Sequence, residues 1–447
     1  MSLTSCEGAL DDVFGEWSRP TPGNNTPSGG GDGGSSTINA TALTLKQTMK
    51  VIKMGGANFT ITTEVTPSDA TVTWESADPD IATVENGVVT PVGKGITTIT
   101  AKSGDLKATC EVFVGNVVDL STIGADYNAA DFDILTGTLS PSHEIKITDG
   151  YKVAFDGLTI SYSIKCKGDA TIYLTDGSTN TVTVVPASNA AGIWVGGAGT
   201  TLTINAETLG TGILEATGGS SGGAGIGTGG NLNYTGGNIT INGGNITATG
   251  GSGGGAGIGT GKSNNAYTNK CGNITINSGK ITANGGNDGS AGGAGIGTGY
   301  TDADYTGTTK NECGDITING GTVIAMGGYS SVGIGTGYAK KEPMGTAADQ
   351  KCGDITIGAD VTSVTAKRGA NAPRVIGVGV LDGSGATGNC GKIKFGTAEV
   401  FDGASPGTWD ANIISYTNGD YGPFGGLKLT ISETTNNNDT WTLTPSN

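Results

Sequence analysis

Three short phrases recur in the same order through the second half of the chain, and this repetition constrains the fold more than any other feature. The first phrase, Gly-Ala-Gly-Ile-Gly-Thr-Gly, occupies residues 223–229, 255–261 and 293–299, with a looser copy at 331–337. The second, Gly-Asn-Ile-Thr-Ile, begins at Gly237 and returns in similar form from Gly272, Gly314, Gly353 and Gly391. The third, Ile-Thr-Ala or a close variant, occupies residues 246–248, 281–283, 323–325 and 364–366. Copies of the first phrase are 32 or 38 residues apart, and self-similarity at such a period is typical of chains whose repeats stack on one another.

Each phrase predicts a short strand with one buried face, because apolar and polar residues alternate with period two. In the second phrase, for example, Ile239 and Ile241 would point inward and Thr240 outward. Each phrase is most similar to its own copy one repeat later, so we expect every strand to pair with that copy, parallel and at about 4.8 Å. The sequence therefore predicts an all-β fold with a parallel β-helix, right-handed by the rule for parallel crossovers.

The predicted β-helix covers residues 116–400 and has about seven coils. Stacked isoleucines would line its interior, and a second stack of amides would mark its corners (Asn242, Asn277, Asn319). Because the inward positions are isoleucine, alanine and glycine, we expect a narrow, dry interior without a ligand cavity. Residues 401–447 contain Trp409, Phe424 and Trp441, and predict antiparallel hairpins that cap the open edge of the last coil.

Composition excludes several classes of partner. The 447 residues include 83 glycines, and the net charge is −16, which disfavours nucleic acid and anionic lipid surfaces as partners. No apolar run is long enough to span a bilayer. High glycine content can signal disorder, but the periodic isoleucines indicate a folded repeat instead.

Residues 1–40 predict a tail followed by a flexible linker rich in proline, glycine, asparagine and serine. Leu3-Thr-Ser-Cys6 resembles the lipobox at the cleavage point of bacterial lipoprotein signals. This resemblance implies that Cys6 carries a lipid anchor and that the protein is exported to the cell surface or outer membrane, with no other membrane contact. The alternative is an ordinary free cysteine in a flexible tail.

Residues 41–115 predict a separate β-sandwich of short alternating strands. The run Thr71-Val-Thr-Trp-Glu-Ser-Ala-Asp-Pro-Asp-Ile-Ala-Thr-Val84, with Gly95-Ile-Thr-Thr-Ile-Thr-Ala101 after it, resembles the bacterial Ig-like group 2 domain. That resemblance implies a spacer or presentation module of surface proteins such as intimin-like adhesins, with no catalytic residues and with Trp74 in its core. The chain from about Val117 onward is similar to glycine-rich β-helical surface adhesins.

The sequence favours a non-catalytic protein. Parallel β-helices also occur in pectate lyases and polygalacturonases, which use clustered acids with a basic residue or paired carboxylates. Here the only histidine, His143, lies near the start of the repeats, where we expect a surface residue, and the repeated strands keep threonine, asparagine and glycine. We therefore predict an adhesin or glycan-binding protein without a cofactor. The alternatives are a polysaccharide lyase or glycoside hydrolase and, third, a structural stalk.

Insertions of varying length follow each Gly-Ile-Gly-Thr-Gly phrase, at residues 230–236, 262–271, 300–313 and 338–352. If the coils stack in register, these insertions emerge on one side and form a ridge. Tyrosines beside amides and carboxylates suit the recognition of sugars. The candidate residues for binding a glycan, or a host or cell-surface protein, are Tyr267, Tyr300, Asp302, Asp304, Tyr305 and Tyr338. Alternatively, the tyrosines merely cover the bases of the loops.

Two further patterns raise the question of metals and disulfides. Asp302-Ala-Asp304-Tyr-Thr-Gly307 resembles the first half of an EF-hand loop, but Glu312 comes one residue early, so we favour a fortuitous acidic turn and predict no metal. Cys271, Cys313, Cys352 and Cys390 occupy the same place in successive repeats. We favour a column of reduced, packed thiols over disulfides, since in-register side chains point the same way. Zinc is disfavoured because its ligands must converge from several directions.

Overall fold

The computed structural model describes residues 38–185, 188–208, 210–230, 235–264, 268–302, 310–340, 349–380, 387–401, 419–432 and 440–446. The regular structure in these ranges is β-strand, apart from a single 3-10 turn at Leu120–Thr122. The all-β class predicted from the sequence is confirmed.

Three long ladders of parallel strands run through the repeats. The first contains Asp133–Thr138, Tyr151–Ile160, Ala170–Leu174, Thr201–Ala206, Asn238–Ile241, Ile274–Ile276, Ile316–Ile318, Ile355–Ile357 and Ile393–Phe395. The second starts from the ends of Asp133–Thr138 and Tyr151–Ile160 and continues through Thr179–Thr183, Ile213–Thr217, Asn245–Thr249, Lys280–Asn284, Gly321–Met326 and Val361–Lys367. The third contains Tyr127–Ala129, Ile145–Ile147, Ile164–Cys166, Ile193–Val195, Ile226–Gly227, Ile258–Gly259, Ile296–Gly297, Ile334–Gly335 and Ile376–Gly377.

The register confirms that each phrase pairs with its own copy one repeat later. Ile239 lies beside Ile274, which lies beside Ile316 and then Ile355. We call one passage of the chain through the ladders a rung. The described part of the third ladder has nine strands, so the expectation of about seven rungs was too low. The strands Tyr127–Ala129 and Asp133–Thr138 precede the first apolar pairs from which rungs were predicted, and they lack the glycine phrases.

A continuous apolar core runs through the rungs from Leu120 to Leu443. On the outside, the corner amides form the predicted ladder, extended by one residue at Asn205. The Nδ2 atoms of Asn242, Asn277 and Asn319 each donate to the Oδ1 of the preceding amide, at 2.8, 2.7 and 2.8 Å. The two central amides, Asn242 and Asn277, thus each donate one hydrogen bond and accept another within the ladder.

Antiparallel strands cover part of the C-terminal end of the stack. Ala398–Phe401 pairs with Ile393–Phe395, and Thr440–Pro445 pairs with Val361–Lys367 and with Leu427–Ser432, which in turn pairs with Gly419–Phe424. Trp441 and Leu443 are buried against the core of the rungs, as the predicted cap requires. Trp409 lies outside the described residues.

Residues 42–115 form their own sheets around a separate core. Met49–Lys53, Leu106–Asp119, Gly95–Ser103 and Thr73–Ser76 make one sheet; Phe59–Thr60, Val88–Pro91 and Ala82–Glu85 make a second; and Ala42–Leu45 pairs with Thr63–Thr66. Trp74 is partly buried against this core, as expected.

The predicted boundary at residues 115 and 116 falls inside one continuous strand. Leu106–Asp119 pairs with Gly95–Ser103 at its beginning, and its last four residues pair with Asp133–Thr138, the first strand of the first ladder. The N-terminal sheets are therefore joined to the rungs by hydrogen-bonded strand and not by a flexible linker.

Side chains also fix this joint. The buried carboxylate of Glu207, on the fourth rung of the first ladder, accepts hydrogen bonds from the backbone N–H of Val51 (2.6 Å) and of Asp176 (2.9 Å) and pairs with Lys50 Nζ at 2.9 Å. Nearby, the ring of Phe113 packs on those of Phe132 and Tyr173, with centroids 5.6 and 5.1 Å apart.

One outward column of the first ladder changes character where the N-terminal sheets end. Ile134, Ala154 and Tyr173 occupy successive rungs of this column and are buried with Phe113, Met49 and Val51. The next rung places Asn205 in the same column, and the amide ladder begins there. The column is apolar where it is covered and polar where it is not.

Candidate functional site

The insertions leave the stack at the same place in each rung. Their bases form a fourth parallel ladder of Thr268–Lys270, Lys310–Cys313, Asp349–Cys352 and Thr387–Cys390, and a short fifth pair, Thr301–Asp302 with Ala339–Lys340. The outer parts of the insertions, residues 231–234, 265–267, 303–309, 341–348 and 381–386, lie outside the described residues. The register of the bases confirms that the insertions share one side of the stack.

Buried amides attach these bases to the third ladder. Asn269 Nδ2 donates to the carbonyl oxygens of Gly261 (3.1 Å) and Gly299 (3.4 Å), and Gln350 Nε2 donates to those of Gly337 (3.1 Å) and Val380 (2.9 Å). Between them in register lies Asn311, which is fully buried. A buried amide that makes these bonds is costly to displace, because its polar atoms would be left without partners.

The threonine of each Gly-Ile-Gly-Thr-Gly phrase has a structural role that the sequence did not predict. Its hydroxyl is buried and accepts the N–H of a glycine in the next rung. The pairs are Thr228 with Gly261 (3.0 Å), Thr260 with Gly299 (2.9 Å), Thr298 with Gly337 (3.0 Å) and Thr336 with Gly379 (2.9 Å). The sequence predicted an interior of isoleucine, alanine and glycine. The interior instead also contains a polar strip formed by these threonines. The constancy of this threonine in all four phrases was the signal.

Tyr300 was predicted to offer an exposed ring to a sugar, but this prediction is wrong, because the residue is only 3% exposed. Lys262, Tyr300 and Tyr338 each follow the glycine phrase directly and so stack in successive rungs. The rings of Tyr300 and Tyr338 are stacked with centroids 5.5 Å apart and an 18° angle, and Lys262 Nζ lies 5.1 Å from the Tyr300 centroid. Both faces of the Tyr300 ring are thus occupied, whereas Tyr338 is half-buried.

Carboxylates at the bases of the insertions lie against lysines of neighbouring rungs. Asp302 Oδ1 is 3.8 Å from Lys340 Nζ, and Glu312 Oε2 is 3.4 Å from Lys270 Nζ. Burial and the adjacent Asp302 carboxylate raise the pKa of Tyr300, so its hydroxyl keeps its proton at physiological pH. In the ranges that the structure describes, no three histidine, cysteine or acidic side chains are grouped so as to hold a metal ion.

The structure brings together three of the six predicted ligand-binding residues, Tyr300, Asp302 and Tyr338. The other three, Tyr267, Asp304 and Tyr305, lie outside the described residues, as does Cys6 with its predicted lipid. His143 is at the surface, as expected, where its Nδ1 lies 3.5 Å from Asp126.

A shallow groove of about 420 Å³ crosses several rungs at the corner between the second and third ladders. Its floor is glycine backbone, and its polar side chains are those of Thr217, Ser220, Thr249, Ser252 and Asn287. Sequence reasoning treated these glycines only as corner residues. The groove is a second concave surface, outside the packed interior.

The four repeated cysteines form the predicted column. Cys313 lies beside Cys352, and Cys352 beside Cys390, in register, while Cys271 occupies the preceding rung. All four are free and at most 6% exposed. Cys110 and Cys166 are buried single thiols, and burial raises the pKa of each to about 12. Because Cys110 and Cys166 are buried but not stacked on other thiols, they serve as controls for the properties of the column.

The comparisons with known proteins bear on the N-terminal part of the chain. Residues 70–116 match the family model of the bacterial Ig-like domain, which confirms the Ig-like part of the resemblance. No curated protein matches the chain. Within the described ranges, no helix has the length and hydropathy needed to cross a bilayer.

Proposed function

We propose that this chain is a non-catalytic surface protein that binds a glycan through the ridge of insertions. In this proposal the ladders are the faces of a right-handed parallel β-helix, and the N-terminal sheets are a sandwich of the group 2 Ig-like type. Cys6 carries the lipid that anchors the protein to the cell surface or outer membrane. The Ig-like match fits a surface protein.

The observation that carries this proposal is the register of the insertion bases. Four rungs place Thr268–Lys270, Lys310–Cys313, Asp349–Cys352 and Thr387–Cys390 side by side in one ladder. Segments that vary in length on a rigid, repeated support are the common arrangement for recognition. At about 4.8 Å per rung, three insertions cover roughly 10–15 Å, comparable with two or three sugar rings.

The side chains at the bases suit a carbohydrate better than a catalytic reaction. Tyr338 offers a half-buried ring, while Asp302 and Lys340 offer hydrogen-bonding groups beside it. Aromatic rings stack on the apolar faces of sugars, and polar groups bind hydroxyls. The described carboxylates of the ridge are engaged by lysines (Asp302, Glu312 and Asp349), which disfavours a pair of acids acting as acid and base.

Binding of the full chain to a glycan array tests the proposal, followed by titration of any glycan found. The Tyr305→Ala/Tyr338→Ala variant is expected to bind roughly tenfold to a hundredfold more weakly, because each stacking ring contributes about 0.5–1.5 kcal/mol beyond its buried area. The control is Thr240→Ala/Thr317→Ala, which changes two outward threonines of the first ladder in the same part of the stack. Tyr300→Ala is not suitable, since this buried ring supports the site.

Equal affinity of the ridge variant and the control variant would remove the ridge as the contact surface. Binding would then have to use the glycine-floored groove or the Ig-like domain. Incubation with uronate-containing and neutral polysaccharides tests the rival activity. Unsaturated products or new reducing ends, at a rate proportional to protein concentration, would show an enzyme and would overturn the non-catalytic assignment.

A further inference from the structure

The column of Cys271, Cys313, Cys352 and Cys390 is chemically unlike the rest of the core. The other ladders of the interior hold mainly aliphatic side chains with a few aromatic rings and the single thiol of Cys166, whereas this one places a free thiol in each of four consecutive rungs. Because the strands are in register, adjacent thiols are separated by one rung spacing, about 4.8 Å between strands. The column thus has three gaps between neighbouring sulfurs.

The spacing of the column favours an ion bound by two sulfurs and disfavours both a disulfide and a tetrahedral ion. Two metal–sulfur bonds of about 2.3 Å, the length of a zinc–sulfur bond, reach about 4.6 Å in total, so that one ion can contact both sulfurs of an adjacent pair. A disulfide instead needs sulfurs at about 2.05 Å, which parallel side chains on neighbouring strands reach only by moving the strands. A tetrahedral ion needs four ligands from different directions, and a single column does not supply them.

We propose that this thiol column binds soft monovalent cations, Cu(I) or Ag(I), each lying beside the column and shared by two adjacent sulfurs, so that the two central thiolates each bridge two ions. Thiolates select soft ions such as Cu(I) over hard ones. Filling the three gaps requires that four thiols lose four protons to solvent and that three ions enter. The net charge of the column therefore falls from zero to minus one, with no change in the oxidation state of sulfur or metal.

The C-terminal end of the column is open to an ion. Cys352 and Cys390 line a surface cavity of about 290 Å³, together with Lys351, Lys392 and Asp354. The two lysine side chains are half-exposed, at 57% and 47%. Lys351 pairs with Asp349 and Lys392 with Glu399, so the two lysines offset only part of the charge of a filled column. The cavity gives an ion a path to the sulfurs of Cys352 and Cys390.

Titration of the full chain with Ag(I) in chloride-free buffer, followed by native mass spectrometry, tests the proposal by counting ions. All chains carry Cys6→Ser, so that an additional thiol does not contribute. The parent is expected to bind three ions, Cys390→Ser two, Cys352→Ser one and Cys313→Ser/Cys352→Ser none, since these variants keep three, two, one and no adjacent pairs. Each bound ion should add thiolate-to-metal charge-transfer absorption in the ultraviolet.

The matched control is Cys110→Ser/Cys166→Ser, which removes two buried single thiols and should leave the count at three. Circular dichroism checks that each chain is folded; if the double column variant does not fold, the Cys390→Ser chain at the open end supplies the test. A count that does not follow the number of adjacent pairs overturns the proposal. So does the loss of four alkylatable thiols in protein that is purified and then denatured without reductant, because disulfides would then occupy the column.

Discussion

Replacement of Gly297 by alanine is expected to prevent the central rungs from folding. The added Cβ would lie 1.7 Å from the carbonyl oxygen of Gly335 in the next rung, and the φ of Gly297 is +132°, which side chains rarely adopt. The obstacle is backbone held in a hydrogen-bonded ladder, so it cannot move without breaking its own bonds. We expect a loss above about 4 kcal/mol, beyond the usual range for one substitution, measured by chemical denaturation.

Gly289→Ala is the matched control for this prediction. Gly289 also has a positive φ, +91°, but its Cβ would meet nothing within 4 Å. The Gly289→Ala substitution should therefore lower the free energy of unfolding only by the cost of the backbone conformation, about 1–2 kcal/mol. If the two variants unfold at the same denaturant concentration, close backbone contact between successive glycine strands does not hold the stack together.

Glu207→Ala is expected to loosen the contact between the N-terminal sheets and the rungs. The substitution leaves Lys50 and the N–H of Val51 without the buried carboxylate that now binds them. Breaking a buried ion pair by removing one partner costs about 3–5 kcal/mol. Hydrogen exchange should accelerate in Met49–Lys53, and denaturation should separate into two transitions. The exposed Glu215 gives the control, since Glu215→Ala should change stability by less than about 0.5 kcal/mol.

A Glu207→Ala chain with a single transition and unchanged exchange would contradict a rigid joint. The N-terminal sheets would then be a spacer that moves independently of the rungs. With a rigid joint, by contrast, the ridge keeps a fixed direction relative to the strand that leads toward the N-terminus.

The repeated phrases made the ladders predictable. Ile239, Ile274 and Ile316 recur within near-identical phrases, so their register follows from the repeat itself, and the stacked amides of Asn242, Asn277 and Asn319 follow from the same register. The aromatic and aliphatic residues of the C-terminal segment likewise indicated antiparallel strands over the end of the stack.

Other features depend on contacts that a single phrase does not encode. Tyr300 is buried because Lys262 and Tyr338 lie above and below it, which requires knowing how the corner after each phrase is folded. The polar strip of Thr298 and Asn311 was missed because period-two alternation reports which side faces inward, not what partners a polar group finds there. The strand Leu106–Asp119 joins both parts, although the Ig-like match ends at residue 116 and nothing in the sequence shows that the strand continues past it.

Distances between spin labels along one outward column test the stacked-rung architecture most directly. Lys152, Thr171, Thr203 and, five rungs further on, Lys394 lie in one register column of the first ladder. Labels attached through an unnatural amino acid leave the native thiols unchanged. The separations from Lys394 are expected to be about 34, 29 and 24 Å for Lys152, Thr171 and Thr203, because seven, six and five rung spacings of about 4.8 Å intervene. Separations that do not fall by one constant step would contradict the parallel, in-register stack.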